Sequence, residues 1–382
     1  MALHNLNFIP RTGRLRLLQV GTFVAVMGCL VLGSALLTGA GSSHRTAAIA
    51  DSVASASASA SPRPGGVSSK PKSISDNPTT SAALGTSPDT VRYYEQTTGK
   101  SFVVNLRTLK TDILSEQRLS GFLRSWWVPR ADRVVSSFQQ SDGVAYRFYD
   151  YDTHTTTTIG SAVAAVAISP DGLRTAYLQH DGDALSLWIG AVDGTSAQKI
   201  LKTRVDEPQL SWPQKNALSL VSRRADRPGF DLSLVGTDGT LVPVLTNKEN
   251  LEAVWSPDAS RLLYSFFTPD VGVSLWVHDA TTGVDAPLGL PTSAEKCAWH
   301  PDGAHITCGV PVQSSLTRDV PADHTATIDD IVTLDLVTGD QHRLYGGTSA
   351  SLISVIDPLV SSSGSSLVFT NLFDQRLYVL SL

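Results

Sequence analysis

The chain has 382 residues, 42% of them hydrophobic, enough for a large buried core built as one repeat-based domain or as two domains. Its formal net charge is −5, but seven basic and two acidic residues fall in the first 80, so residues 81–382 carry 23 basic against 33 acidic groups, a net −10. An acidic body argues against nucleic acid as a partner.

Arg11, Arg14 and Arg16 precede an apolar run from Leu17 to Gly41. The run is long enough to cross a bilayer as a helix of about 20 residues. Basic residues ahead of it place residues 1–16 in the cytoplasm and everything after 41 outside. The reading is a single-pass anchor at the cytoplasmic membrane. Two alternatives are open: a signal peptide cleaved after Thr38-Gly39-Ala40, giving a secreted protein, and lipidation at Val26-Met27-Gly28-Cys29. Residues 42–82, with the alternating Ala54–Ser61 stretch followed by Pro62 and Pro64, read as a flexible Ser/Ala/Pro-rich linker. Such a stretch has too little apolar surface to offset its ordering entropy.

From there the chain repeats. Ser87-Pro88-Asp89, Val128-Pro129-Arg130, Ser169-Pro170-Asp171-Gly172, Trp212-Pro213-Gln214, Ser256-Pro257-Asp258 and His300-Pro301-Asp302-Gly303 recur at intervals of 41, 41, 43, 44 and 44. Ser361-Ser362-Ser363-Gly364 follows after 61 without its proline. The spacing matches the roughly 40–45 residues of a four-stranded propeller blade. In each unit a short apolar strand, often with Trp before the turn (Trp127, Trp255, Trp299), leads into the Pro-Asp turn. A second strand follows, such as 261–265, then a third, such as 274–277, ending at Asp193-Gly194, Asp238-Gly239, Thr282-Gly283 or Thr338-Gly339. The expectation is an all-β, seven-bladed β-propeller over 83–382, with six blades as the alternative and ring closure by a strand from 79–86. The tryptophans, sharing one repeat position, read as core; Trp126 breaks the repeat and reads as exposed.

The Ser-Pro-Asp-Gly turn with its flanking strands resembles the repeat of TolB-like and dipeptidyl-peptidase-IV N-terminal-like propellers, over about 85–382. The resemblance implies an architecture and leaves function open, because such propellers serve as scaffolds, gates and receptors. Peptidases of that kind carry Gly-x-Ser-x-Gly, which is absent here, as are a phosphate loop, His-Glu-x-x-His and Cys-x-x-Cys. The expectation is therefore no enzyme, no cofactor and no metal. Lactonase- or lyase-like chemistry in a central channel, or carbohydrate binding, is the alternative; His300 and His305 are the nearest candidates for the former.

Cys297 and Cys308 flank the His300–Gly303 turn, and antiparallel pairing sets them opposite each other as a hydrogen-bonded pair. They are either a disulfide or two buried thiols. The long last interval comes from about 18 extra residues, read as an insertion over 309–327. Insertions into repeats collect on loops of one face. Val310, Val312, Leu316 and Arg318 of this insertion, with Arg223, Arg224 and Arg227 of another hairpin, are the candidate contacts for an envelope or cell-surface protein.

Overall fold

A computed structural model describes residues 70–141, 143–224, 227–312 and 326–382. The expected cytoplasmic segment, anchor and most of the linker lie outside these residues. Among the described residues no helix is long and apolar enough to cross a membrane.

Every sheet is antiparallel, and all but the last are meanders of consecutive strands. Sheet 1 comprises Thr79–Leu84, Thr90–Glu95, Ser101–Asn105 and Thr111–Ser115; sheet 2, Phe122–Trp127, Arg133–Gln140, Gly143–Asp150 and Thr155–Thr158; sheet 3, Val163–Ile168, Arg174–Asp181, Ala184–Ala191 and Gln198–Thr203. Sheet 4 has seven strands: Asp206–Gln214, Ala217–Arg223, Phe230–Gly236, Leu241–Trp255, Arg261–Thr268, Gly272–Asp279 and Asp285–Pro287. Sheet 5 comprises Cys297–Trp299, His305–Pro311, Asp329–Asp335 and Gln341–Tyr345; sheet 6, Val355–Val360, Ser366–Asn371, Leu377–Ser381 and Lys72–Ser73.

Second strands such as Arg261–Thr268 are buried on consecutive residues, not alternate ones, because both faces of each sheet are covered. Each covering face belongs to the next sheet. Leu178 and Leu187 of sheet 3 meet Trp212 and Leu218 of sheet 4. Leu263 and Leu275 of sheet 4 meet Ile306 and Leu334 of sheet 5. Within sheet 4, Val221, Leu232 and Leu245 of the first half share one cluster with Leu262 and Tyr264 of the second. The strand common to both halves, Leu241–Trp255, shifts register at Glu249/Glu252 and has φ of 53° at Asn247 and 49° at Asn250. Sheets 1 and 2 are tied by the fully buried Arg92, which donates to the carbonyls of Leu84, Val128 and Ala131 and pairs with Asp132 at 3.1 Å. Its guanidinium lies 4.6 Å from the centre of the Trp127 ring. Trp127 and Trp299 are buried, and each donates its indole N–H to the first strand of the preceding sheet or half-sheet. The turn glycines 194, 239, 283 and 339 all have positive φ, the conformation for which a Cβ is unfavourable.

Closure differs from the sequence expectation. Thr79–Leu84 is the first strand of sheet 1, and the segment that completes the last sheet is Lys72–Ser73, pairing with Val379 and Tyr378. Part of the stretch read as linker is therefore ordered. The Ile74 N–H donates to the Leu377 carbonyl at 2.8 Å, and the Leu377 N–H donates to Ser75 Oγ at 2.9 Å. These are backbone pairings between residues about 300 positions apart, made by a short polar stretch that composition does not distinguish from spacer. Val91 and Val104 of sheet 1 then pack on Val368 and Leu377 of sheet 6.

The same two sheets are clasped at their first turns. Asp89 accepts from the Ser363 hydroxyl at 2.5 Å and from Arg107 Nε at 2.8 Å, while its own N–H donates to Ser362 Oγ at 3.2 Å. The Ser363 hydroxyl, then Arg107, hold the Asp89 carboxyl below its ordinary value of 3.8. A carboxyl held down in the fold stabilises it fully above the ordinary value, and that contribution is lost as pH falls from there through the lower folded-state value. Asp89→Asn should therefore melt below the parent at neutral pH and lose less stability than the parent between about pH 5 and the acid limit of folding. Parallel acid profiles in calorimetric melts would show that the clasp does not couple to closure.

Candidate functional site

The innermost strands surround a cavity of about 1070 Å³. It is reached from the end where second strands turn into third strands and where one sheet passes to the next; the Pro-Asp turns lie at the other end. Near this mouth, the first strand slips register at Thr80/Ala83, Phe122/Arg124, Val163/Ala165, Asp206/Gln209, Glu249/Glu252 and Ile356/Leu359. Ser81, Glu207, Asn250 and Asp357 have φ between 46° and 58° there. A β-bulge re-aims side chains and relieves the ladder of one N–H. That explains how Pro208 and Pro358 sit inside paired strands, and why Leu123, Gln209 and Asp357 face the cavity.

Sheet 5 breaks the pattern. Its first strand is preceded by a 3-10 turn, Ala294–Lys296, in place of a bulge, and Glu295 and Lys296 line the cavity. The turn is pinned because the Ala294 N–H donates to Ser265 Oγ at 2.9 Å. Lys296 Nζ donates to Asp329 at 2.5 Å and to Thr327 Oγ1 at 2.7 Å. Asp329 is fully buried and also accepts from the Val355 N–H at 2.7 Å and the Thr327 hydroxyl at 2.6 Å. Gly309 makes room for this: a Cβ there would stand 2.6 Å from Val355 Cβ and 3.0 Å from an Asp329 oxygen. Burial pushes the Lys296 pKa below its ordinary value, opposed by the attraction of Asp329 and then Glu252. Arg124 and Asp357 face each other across the mouth at 3.9 Å, both well exposed.

The sequence candidates divide. Val312 is exposed, its N–H donating to the Ile328 carbonyl at 2.8 Å. Val310 is no loop residue: the ladder runs on through Gly309↔Ile331, Val310↔Asp330 and Pro311↔Asp329, and Val310 packs against the core between sheets 4 and 5. The insertion is thus shorter than 309–327, with Pro311 and Thr327 on its flanks both lining the cavity. Leu316 and Arg318 lie outside the described residues. Arg223 pairs with Glu207 and Arg227 with Asp231, each at 2.5 Å, while Arg224 is exposed. None of the three lines the cavity.

Cys297 and Cys308 are opposite each other and disulfide-bonded, with Cα atoms 4.0 Å apart. The parity differs from the sequence count. The turn closes at His300, whose N–H donates to the His305 carbonyl, so alternation along the ladder makes Cys297 and Cys308 a non-hydrogen-bonded pair, where strands approach most closely. His300 bonds Thr307 at 2.8 Å and His305 bonds Asp302 at 2.7 Å, and neither lines the cavity. Trp126 does line it and is half-buried. Among the described residues no group of three or more His, Cys, Asp or Glu is placed to hold a metal ion. The polar residues of the cavity escaped the sequence reading because they come from different repeats, far apart in the chain.

No family model matches the chain, and no curated protein matches it. Solved structures do. A structure described as "Oligogalacturonate lyase in complex with manganese" has a TM-score of 0.57 at 14% identity, covering 80% of this chain and 89% of that one. A chain of the mitotic checkpoint complex has a TM-score of 0.53 at 12% identity, covering 79% and 86%. TolB from Acinetobacter baumannii has a TM-score of 0.44 at 12% identity, covering 80% and 78%. The chain therefore has an all-β fold shared with known propellers; membership of a TolB-like family is not shown. The expectation that it is no enzyme is corrected: a lyase shares this fold, so the absence of compact motifs does not exclude catalysis by residues gathered round a cavity.

The Lys296–Asp329 pair generates a stability asymmetry. Asp329→Ala strands a largely buried ammonium and frees the Val355 N–H, and should cost about 3–5 kcal/mol in denaturant unfolding. Lys296→Met, which keeps the hydroxyl and amide donors to Asp329, should cost less; equal losses would mean that the pair is not held as described.

Proposed function

We propose that this chain is a seven-bladed propeller, held outside the cytoplasmic membrane by residues 17–41, that binds an envelope or cell-surface protein at the mouth of its central cavity. The blade count is supported by sheet 4, whose halves share the strand Leu241–Trp255 but pack on each other as separate sheets do elsewhere. The anchor is supported by the basic residues before a long apolar run. The site is carried by one observation: the residues flanking the insertion, Pro311 and Thr327, line the same mouth as the bulged strands. The irregular side of the repeat and the cavity therefore coincide, whereas the Pro-Asp face is built from near-identical turns. A propeller chain within the mitotic checkpoint complex agrees with protein binding in this fold.

A second reading, catalysis in the cavity, is favoured by Lys296, an amine whose pKa is lowered by burial beside Asp329. Such a group can serve as a general base. It would suit an elimination of the kind that the name oligogalacturonate lyase describes.

The readings are separated by placing a photo-crosslinking residue in the full chain in its native membranes. Position 209, on the mouth, and position 312, exposed next to Pro311 of its rim, should yield a discrete adduct with another protein, and position 173, exposed on a Pro-Asp turn, should not. Adducts equal at all three positions, or none at the mouth, would reject the site. Cleavage of oligogalacturonate by the parent and not by Lys296→Met would establish the second reading.

A further inference from the structure

We infer that a cleft between sheets 1 and 2, separate from the central cavity, is a binding site for a small polyhydroxylated anion of monosaccharide size, a sugar acid or a sugar phosphate. The cleft has a volume of about 300 Å³, at the lower end of the range for small-ligand sites. Elsewhere successive sheets meet through larger apolar clusters, such as the one joining sheets 3 and 4. Here the apolar contact is confined to a few residues around Tyr94, Trp127 and Val134, and the cleft is left beside them.

Its wall follows from strand alternation. Residues 134, 136 and 138 share one face of the second strand of sheet 2, and 147 and 149 the matching face of the third, with Tyr151 just beyond its end. The floor is a run of hydroxyls. Tyr94 and Tyr151 share a hydrogen bond of 2.6 Å, and Tyr151 donates to Ser101 Oγ at 3.0 Å. Ser136 bonds Ser125 at 2.6 Å. Hydroxyls donate and accept, so such a floor suits a ligand that is itself rich in hydroxyls, while the rings of Tyr149 and Phe138 offer apolar faces to its C–H side.

Charge sets the sign of the ligand. Arg118 and Arg147 line the cleft and both are exposed, whereas no Asp or Glu lines it, in a body that is acidic as a whole. The Arg147 guanidinium lies 5.4 Å from the centre of the Phe138 ring, which holds it on the wall. Two planar donors over a hydroxyl floor suit a carboxylate or phosphate with a polyol attached.

Calorimetric titration of the full chain in detergent tests the assignment with four probes: glucuronate, glucose 6-phosphate, glucose and inorganic phosphate. At least one sugar anion should bind about tenfold or more tightly than glucose and than inorganic phosphate, and which of the two binds better tells carboxylate from phosphate. Arg118→Gln and Arg147→Gln should each weaken that binding about tenfold, with melting unchanged because both residues are exposed. Tyr151→Phe should weaken the sugar anion and leave inorganic phosphate as it was. Absence of binding by both sugar anions, binding indifferent to both arginine variants, or inorganic phosphate binding as well as the tighter of the two sugar anions would overturn the assignment.

Discussion

Both faces of every sheet need a partner, and that constraint organises the molecule. A sheet whose second strand is buried on consecutive residues cannot end a stack, because its outer face would present Leu or Val side chains to water. The row of sheets therefore closes on itself. Val91 and Val104 at the beginning of the fold meet Val368 and Leu377 at its end. Closure is reinforced twice: at one end by Lys72–Ser73 completing the last sheet, at the other by the Asp89 carboxylate with Ser363. Burial supplies the larger, non-directional share of the stabilisation, and the hydrogen bonds fix which first strand meets which last one.

A ring of this kind leaves a hole lined by first strands, and its lining is decided by backbone irregularity more than by composition. Six register slips recur near the mouth, and residues at or beside each of them line the cavity. Sheet 5 substitutes a 3-10 turn, carries the insertion, and holds the disulfide and the buried Lys296–Asp329 pair. These departures reinforce one another. Gly309 allows Asp329 to reach Val355, which ties sheet 5 to sheet 6, and the bonded Cys297 and Cys308 fix the strand that follows the turn. The part of the ring with this unusual local chemistry is thus braced by a disulfide, a buried ion pair and a pinned turn.

The outer cleft between sheets 1 and 2 obeys the same geometry with a different filling. Arg92 takes the inner end of that interface, its two terminal nitrogens donating to three carbonyls and Asp132, so hydrogen bonds from a buried guanidinium share the junction with the rings of Tyr94 and Trp127. A polar junction leaves space that an aliphatic one would close.

The sequence by itself determined the strands, the turns and their repetition, because Pro, Asp and Gly act locally on φ and on hydrogen bonding within a few residues. It also determined that Cys297 stands opposite Cys308, since register in a hairpin follows from the turn. Tertiary structure decided what depends on residues far apart. The strand at 72–73 is too short and polar to be told from linker until Val379 and Tyr378 lie beside it. Arg223 and Arg227 look like free positive charge until Glu207 and Asp231 are seen paired with them. Lys296 and Asp329 are 33 residues apart and belong to no motif; only the closed ring, by excluding water from the wall between sheets 5 and 6, makes them one buried pair.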